Sequence, residues 1–288
     1  MSDKGKNLVV RAITGALFVV VMIACFLRAE TMMILFAIIT GMTIWEYTGL
    51  ANQVPEVTVN RLITTVAGVY FFLAIAGKNC GLIQSNGVFL PYVLTIVYLL
   101  VSELYLKTAN AVNDMAYTCL SQLYIALPLS MINVLAFRED TVGIHYSYIL
   151  PMCVFILLWI NDTGAYCSGS LFGKHKLFPR ISPGKTWEGS IGGGIIVLIV
   201  SGCIGYFQNQ GDNLSGLTTL EWVGLGLVVV VFGTWGDLVE SLMKRTFGIK
   251  DSGHILPGHG GMLDRFDSSL LAIPAAVIYI YSLQLFLS

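Results

Sequence analysis

The sequence predicts an all-α, polytopic integral membrane protein with about nine transmembrane helices and a cytoplasmic N-terminus. Of its 288 residues, 56% are hydrophobic and only 11% are charged, whereas a soluble domain carries about 25% charged residues. Apolar stretches recur at the length that crosses a hydrocarbon core of about 30 Å. Lys and Arg also collect in alternate loops, as they do in membrane proteins. Together these observations exclude an ordinary soluble enzyme and a disordered protein.

The charge balance and the cysteines exclude further classes. The net charge is −1, so no overall field attracts polyanions, and we expect no nucleic-acid partner. The six cysteines are scattered and form no C-x-x-C pair, which argues against a disulfide framework or a thiolate metal site.

Nine apolar stretches have the length of membrane spans. The first follows a basic N-terminus, as a signal peptide does, but it is longer than a typical signal core and lacks a convincing cleavage site. We therefore interpret it as an uncleaved first helix. The expected spans are 8–27, 31–50, 62–77, 88–106, 116–136, 147–167, 189–208, 221–240 and 268–286.

The distribution of Lys and Arg predicts the orientation. With the N-terminus inside, thirteen of the sixteen lie on the inner side, and only Arg28, Lys78 and Arg138 lie outside. This asymmetry predicts a multi-pass membrane protein whose N-terminus and most basic loops face the cytoplasm.

The same alternation predicts the organisation of the chain. We expect one membrane domain, in which 1–136 holds spans one to five and 137–288 holds spans six to nine. The inner loops 168–188 and 241–267 carry 12 of the 33 charged residues. We therefore expect any chemistry to take place in these two loops.

Span eight ends in a polar face. Helical spacing places Asp237, Glu240, Ser241 and Lys244 on one side of the helix. A carboxylate at the membrane boundary is costly unless it has a partner or faces water. Asp237 is then either an interfacial charge paired with Lys244 or an oxygen ligand of a hard cation.

The loop after span eight is rich in glycine, which allows close approach to a ligand. Asp264 and Asp267 stand at i and i+3 around Arg265, near the start of span nine. They are either helix caps or part of a metal and phosphate site. Two acids exceed what a cap requires, so the second interpretation is favoured.

The two histidines of this loop do not predict zinc. Their spacing differs from H-E-x-x-H, and no thiolate is near. His259 is the better candidate for a hydrogen-bond donor to phosphate, and His254 is expected to be an ordinary surface histidine.

The other inner loop contains Gly184-Lys185-Thr186. A P-loop needs a further glycine where Pro179 stands, and no βα unit precedes it, so this is not a Walker A motif. The segment is expected to be a turn that offers Lys185, with Ser182 and Thr186 as donors.

Two neighbouring features belong to the same membrane face. Asn161 and Asp162 end span six there, and span seven begins with glycines suited to close helix packing. A further acid, Glu46 in span two, is buried enough to test, but a helix–helix hydrogen bond explains it equally well.

Carboxylates and cations thus occur together at one membrane face. Cations bind phosphates, and carboxylates hold Mg²⁺, which bridges phosphate oxygens. Acids alone would indicate a cation transporter, and cations alone would indicate docking on anionic lipid. Their combination indicates phosphoryl or nucleotidyl transfer onto a membrane lipid.

The segment 241–267 resembles the phosphatidate cytidylyltransferase (CDP-diacylglycerol synthase) family of membrane enzymes. The resemblance extends to Asn161-Asp162, to 182–189 and to Gly236-Asp237, and so covers about the C-terminal half of the chain. The positions that match the family motif are Ser241, Lys244, Arg245, Lys250, Asp251, Gly253, Pro257, His259, Gly260, Gly261, Asp264, Arg265 and Asp267.

The resemblance implies a reaction and its cofactors. CTP and phosphatidate would give CDP-diacylglycerol and pyrophosphate, with Mg²⁺ or Mn²⁺ as the divalent metal and K⁺ as a second cation. It implies Asp237 and Asp264 as metal ligands, a homodimer, and membrane lipids as partners.

The site residues divide into two expected roles. The catalytic candidates are Asp237, Asp264, Lys250, Arg265 and His259. The candidates for binding CTP and phosphate, or for orienting the groups that do, are Lys185, Ser182, Thr186, Lys244, Arg245, Asp251, Asp267, Asp162 and Asn161.

Two alternatives stay open at this point. A CTP-dependent lipid kinase also activates CTP at a membrane, but its products are CDP and a phospholipid. An ion-coupled transporter also buries carboxylates, usually near the bilayer midplane and between inverted repeats, and neither feature is evident here.

Overall fold

The computed structural model describes most of the chain. The described residues are 3–106, 108–139, 143–211, 213, 215–253 and 260–287, with side chains described within 13–285. His254, Pro257 and His259 therefore lie outside the described residues.

Helices dominate this part of the chain. The α-helices are α1 (Asp3–Phe26), α2 (Ala29–Ala51), α3 (Arg61–Asn79), α4 (Leu90–Leu106), α5 (Ala111–Ser121), α6 (Leu127–Ser130), α7 (Ile132–Ala136), α8 (Ile149–Phe172), α9 (Trp187–Gln210), α10 (Thr219–Thr246) and α11 (Leu263–Leu287). A 3₁₀ turn at Asn86–Phe89 precedes α4, and a π-helical turn at Gln122–Ala126 joins α5 to α6.

Among the described residues, eight helical segments are long and apolar enough to cross a membrane. They correspond to predicted spans two to nine. The first predicted span is also helical, as α1, but its described apolar part, Ile13–Phe26, is shorter than the other spans. The prediction of an all-α, polytopic membrane protein is therefore confirmed.

The fifth span differs from a plain helix. It runs over Ala111–Ala136 and begins earlier than predicted, because Asn110 caps α5 by accepting a hydrogen bond from the Asn113 amide (3.4 Å). The π-helical turn interrupts it at Gln122, whose side chain donates to the Thr64 carbonyl of α3 (3.1 Å). The buried amide nitrogen of Gln122 is thus satisfied by a neighbouring helix.

The chain forms two compact units. The first contains Met1–Tyr146 and Thr246–Phe266, and the second contains Ser147–Arg245 and Asp267–Ser288. The predicted division after residue 136 within a single membrane domain stays a prediction.

In the first unit, an aromatic core holds the beginning of α11. Phe266 is fully buried, and its ring lies 6.0 Å from that of Phe18 in α1 and 6.1 Å from that of Phe36 in α2. Phe26 packs on Phe36 at 5.5 Å. This packing fixes the turn of helix that carries Asp264.

In the second unit, α8 and α9 pack closely through glycines. A Cβ atom added to Gly193 would lie 2.8 Å from both the Asn161 carbonyl oxygen and the Ala165 amide nitrogen. A side chain at this position would therefore push the helices apart. The predicted role of the span-seven glycines is confirmed, and their packing fixes the middle of α8, where Asn161 and Asp162 lie. The prediction that these two residues end the span is wrong, because α8 continues to Phe172.

Two short antiparallel hairpins were not predicted. In the first unit β1 (Phe137–Glu139) pairs with β2 (Ile144–Tyr146), and in the second β3 (Lys176–Phe178) pairs with β4 (Ser182–Thr186). The expected turn around Lys185 is thus a strand. Strands this short give too little alternation for the sequence to distinguish them from loops.

Candidate active site

Three acids come together in the second unit. Asp237 and Glu240 lie near the C-terminal end of α10, and Asp267 lies near the start of α11. One carboxylate oxygen from each falls within 4.8 Å of the others. Glu240 is fully buried, and the Asp237 side chain is 25% exposed. We call these three residues the acidic cluster.

Two lysines neutralise part of this cluster. The Lys185 ammonium forms an ion pair with Asp237 Oδ2, and the Lys244 ammonium lies 2.6 Å from Glu240 Oε2. The Ser241 hydroxyl donates to Asp237 Oδ1 (3.1 Å). The two lysines thus balance two of the three acids of the acidic cluster.

The β3–β4 hairpin brings Lys185 to Asp237. The Thr186 hydroxyl next to it accepts a hydrogen bond from the Gly189 amide (3.1 Å) and so caps α9. Arg245 of α10 donates through Nε to the Ile181 carbonyl (3.2 Å). The hairpin is thus tied to two helices, which fixes the lysine at its end.

The donor set of the acidic cluster fits a hard divalent cation. Its ligands are all carboxylate oxygens, the type that Mg²⁺ prefers. Oxygens about 2.1 Å from one ion lie roughly 3 to 4 Å from each other, which is compatible with the separation of at most 4.8 Å found here. The cluster is therefore a candidate metal centre.

A cavity of about 410 Å³ adjoins the cluster within the same unit. Its wall includes Asp162, Lys185, Thr186 and Asp237, together with several glycines. Asn161 also lines it and is only 4% exposed, and its Oδ1 atom has no hydrogen-bond partner among the described residues. A buried acceptor beside an acid, a lysine and backbone glycines suits a polar, phosphorylated ligand.

Asp264 has a different environment, in the first unit. Its Oδ2 atom accepts hydrogen bonds from the amides of Ser252 (2.9 Å) and Gly261 (2.8 Å). Glu46 of α2 accepts from the Ser252 hydroxyl (3.0 Å) and the Leu263 amide (2.8 Å). We call these five residues the Glu46–Asp264 network.

The remaining predicted residues vary in position. Lys250, Asp251, Arg245 and Arg265 are exposed, while Ser182 is half-buried in β4, opposite Phe178. His259 lies outside the described residues. The pairing of Asp237 with Asp264 as metal ligands stays a prediction, since the structure groups Asp237 with Glu240 and Asp267 within the second unit.

Two acids of these sites were not among the predicted site residues. Glu240 was recognised only as part of the polar face of span eight, although its i+3 spacing from Asp237 was a usable signal. Glu46 was left as an unassigned buried acid. Its partners, Ser252 and Leu263, are more than 200 positions away, and no local pattern indicates them.

The helices and the lysine-partnered acids define a class: a polytopic membrane protein whose polar site suits a metal ion and phosphate groups. Comparison with known proteins identifies the family. The model of the cytidylyltransferase family matches residues 9–283, so the chain belongs to this family of enzymes, as the motif in 241–267 predicted.

Two named relatives are similar in sequence to nearly the full length of this chain. The chain is 35% identical over 268 residues to the phosphatidate cytidylyltransferase of Staphylococcus aureus (strain COL), covering 92% of this chain and 96% of that protein. It is 34% identical over 266 residues to the phosphatidate cytidylyltransferase of Staphylococcus haemolyticus (strain JCSC1435), with the same coverage.

Proposed function

We propose that this protein transfers CMP from CTP to phosphatidate and releases CDP-diacylglycerol and pyrophosphate. The observation that carries the proposal is the similarity, over 92% of the chain, to proteins named phosphatidate cytidylyltransferase. The acidic cluster and its lysines support it, because they supply the charges that such a reaction needs. The proposed location is a bacterial inner membrane, by similarity to the bacterial relatives, and the site is placed at the cytoplasmic face on the basis of the Lys and Arg asymmetry.

The nucleophile in this reaction needs no general base. The second pKa of a phosphate monoester is about 6, so phosphatidate is mostly dianionic at neutral pH. One of its phosphate oxygens attacks the α-phosphorus of CTP and forms a new P–O bond. The bond from the α-phosphorus to the oxygen that bridges to the β-phosphorus breaks, and that oxygen leaves with pyrophosphate.

The main task of the protein is to reduce repulsion between two anions and to align them. Lys185 and Lys244 are proposed to contact phosphate oxygens at the cavity beside the acidic cluster. Arg245, Lys250, Arg265 and His259 are further candidates for binding the triphosphate and pyrophosphate, on the strength of the motif.

The divalent metal is proposed to be held by Asp237, Glu240 and Asp267. Asp264 is added as a ligand on the motif alone. When bound, Mg²⁺ supplies Lewis-acid polarisation of a phosphoryl oxygen and offsets negative charge on the phosphates. Asp162 is within electrostatic range of Asp267 and is proposed to orient the cations around it.

Labelled CTP tests the proposal directly. Purified protein is incubated with phosphatidate, Mg²⁺ and CTP labelled at either the α- or the γ-phosphorus, and the lipid is extracted. We expect the α-label in the lipid and the γ-label in pyrophosphate. Diacylglycerol replaces phosphatidate in a parallel reaction. Transfer of γ-label to that lipid would instead support a CTP-dependent lipid kinase, and no label in any lipid would contradict both enzymes.

The homodimer is a second part of the proposal and rests on the resemblance to the family. Its test is the mass of the detergent-solubilised protein, measured by light scattering with the detergent contribution subtracted. A mass of two chains supports the dimer, and a mass of one chain contradicts it.

A further inference from the structure

Glu46 caps a helix that begins 217 positions later in the sequence. Its side chain is 92% buried within α2, being only 8% exposed. One oxygen, Oε2, accepts both the Leu263 amide of α11 (2.8 Å) and the Ser252 hydroxyl (3.0 Å). The first amides of a helix have no partner inside the helix, so Glu46 supplies from another element what a local cap usually provides.

The loop leaves space for this carboxylate by using glycine. A Cβ atom on Gly253 or on Gly261 would collide with the oxygens of Glu46. Both glycines therefore permit the backbone to close around an acid that enters from α2. This fit indicates that Glu46, the loop and the start of α11 form one arrangement, of which the hydrogen bond between α2 and α11 is one part.

Ser252 connects Glu46 to Asp264. Its hydroxyl donates to Glu46, while its own amide donates to Asp264 Oδ2 (2.9 Å). The Gly261 amide also donates to that oxygen (2.8 Å). The Asp264 carboxylate is thus held by two amides, one of which belongs to a residue that Glu46 fixes.

A buried carboxylate in a membrane span is costly and usually has a functional reason. An apolar residue in α2 would pack there without that cost but would leave the Leu263 amide and the Ser252 hydroxyl without this acceptor. The benefit of the acid therefore lies in the loop and the start of α11, where Asp264 stands.

We propose that Glu46 is a positioning residue: it fixes the first turn of α11 and Ser252, and so sets the direction of the Asp264 carboxylate before substrates bind. The effect on catalysis rests on the proposed function, whereas the effect on the loop does not. The two parts therefore have separate readouts.

Amide hydrogen exchange of the protein without CTP or metal tests the effect on the loop. Peptides that contain Ser252 or Leu263 are compared in wild type, Glu46→Gln and Glu46→Ala. A hydrogen bond to a charged group is strong enough that its loss should raise local exchange about tenfold or more in Glu46→Ala. Glu46→Gln keeps one acceptor oxygen and should show a smaller rise.

The control is Thr43→Val in the same helix. Thr43 is fully buried, and its hydroxyl donates to the Ile39 carbonyl within α2 (2.7 Å). This change removes a hydrogen bond within α2 and keeps the Glu46 carboxylate, so we expect wild-type exchange around Ser252 and wild-type turnover. If Thr43→Val raises loop exchange as much as Glu46→Ala does, general damage to α2 explains the result and the proposal fails.

The catalytic readout separates positioning from loss of folded protein. In the folded fraction, kcat should fall about 100-fold in Glu46→Ala, because a small misplacement of a reacting group has an effect of this size. The Mg²⁺ concentration for half-maximal rate should rise, while the KM for CTP should change little. Glu46→Gln should recover part of the rate.

Ser252→Ala keeps the proposal testable if Glu46→Ala does not fold. It removes the hydroxyl but keeps the amide that binds Asp264, and it should reproduce the smaller effect of Glu46→Gln. Unchanged loop exchange in both Glu46→Gln and Ser252→Ala would overturn the proposal. A wild-type protein that makes no CDP-lipid would instead overturn the proposed function and leave the exchange result valid.

Discussion

The acidic cluster and the Glu46–Asp264 network both bury carboxylates near helix ends, but the groups that satisfy them differ. In the cluster, the ammonium groups of two flexible lysine side chains balance the charges of Asp237 and Glu240. In the network, backbone amides and one serine hydroxyl hold Glu46 and Asp264. Lysines can move to phosphate groups when a ligand arrives, whereas backbone amides cannot leave without unfolding the loop. The first arrangement suits ligand exchange, and the second suits rigid positioning.

Replacing an acid that is proposed as a metal ligand should give the largest effect, and Asp237 is the first of these acids. Asp237→Asn removes a charge from the proposed metal site and leaves Lys185 without its ion pair. We expect a loss of about 100-fold or more in kcat, as for other groups that stabilise charge in a transition state. The measurement is CDP-lipid formation per amount of folded protein in the membrane.

The matched control for this change is Glu221→Gln, at the other end of α10. Glu221 accepts a hydrogen bond from the Thr218 amide (2.7 Å) and serves as a cap. It should keep nearly full activity. Comparable losses in both variants would mean that α10 tolerates no change and would remove the support for a metal site at Asp237.

Asp264→Asn tests whether the network also takes part directly in catalysis. If Asp264 is a metal ligand, as the motif predicts, this change should abolish turnover while the protein stays folded in the membrane. A carboxamide oxygen can still accept the two amides, so loop exchange should change little. Substantial remaining activity would refute the assignment of Asp264 as a ligand and leave it a purely positioning group.

Lys244→Met should have a moderate effect that metal reverses. Glu240 is fully buried, and removing one partner of a buried pair typically destabilises by about 3 kcal/mol. A cation bound at the cluster would compensate, since a ligand at 100 times its Kd stabilises by about 2.7 kcal/mol. The thermal midpoint should therefore rise more with Mg²⁺ in this variant than in wild type.

The control for that measurement is Lys176→Met, which replaces an exposed lysine of β3. It should keep the thermal midpoint and the Mg²⁺ response of wild type. An equal Mg²⁺ response in wild type and Lys244→Met would indicate that the metal does not bind beside Glu240.

Helical periodicity was sufficient to predict much of the acidic cluster. The face of Asp237, Glu240, Ser241 and Lys244 was predicted from spacing, and its internal contacts are present: Ser241 bonds Asp237, and Lys244 pairs with Glu240. These partners are four positions apart, within reach on any helix. The lengths of the apolar stretches likewise predicted the spans, because the thickness of the bilayer sets the length of a helix that crosses it.

The place of Asp267 in the cluster and the whole Glu46–Asp264 network depend on contacts that residue spacing does not indicate. Asp264 and Asp267 stand one turn apart on α11, and nothing in their spacing indicates which of them lies beside Asp237. Glu46 meets Leu263 across 217 positions, through a loop whose course depends on glycine. Such contacts arise from tertiary packing, and one sequence read by local pattern cannot identify them.

The smallest expected effect concerns Thr186, which adjoins Lys185 but serves the fold. Its hydroxyl caps α9 by accepting from the Gly189 amide (3.1 Å). Thr186→Val should cost about 1 kcal/mol in stability and raise exchange at the Gly189 amide. Thr186→Ser keeps the acceptor and should match wild type. The cap also holds β4 and therefore Lys185. Losing it should loosen Lys185 slightly, so we expect the KM for CTP to rise only about twofold to threefold in Thr186→Val. A much larger rise in KM in both variants would mean that the Thr186 side chain contacts the nucleotide directly and belongs with the exchangeable groups of the acidic cluster.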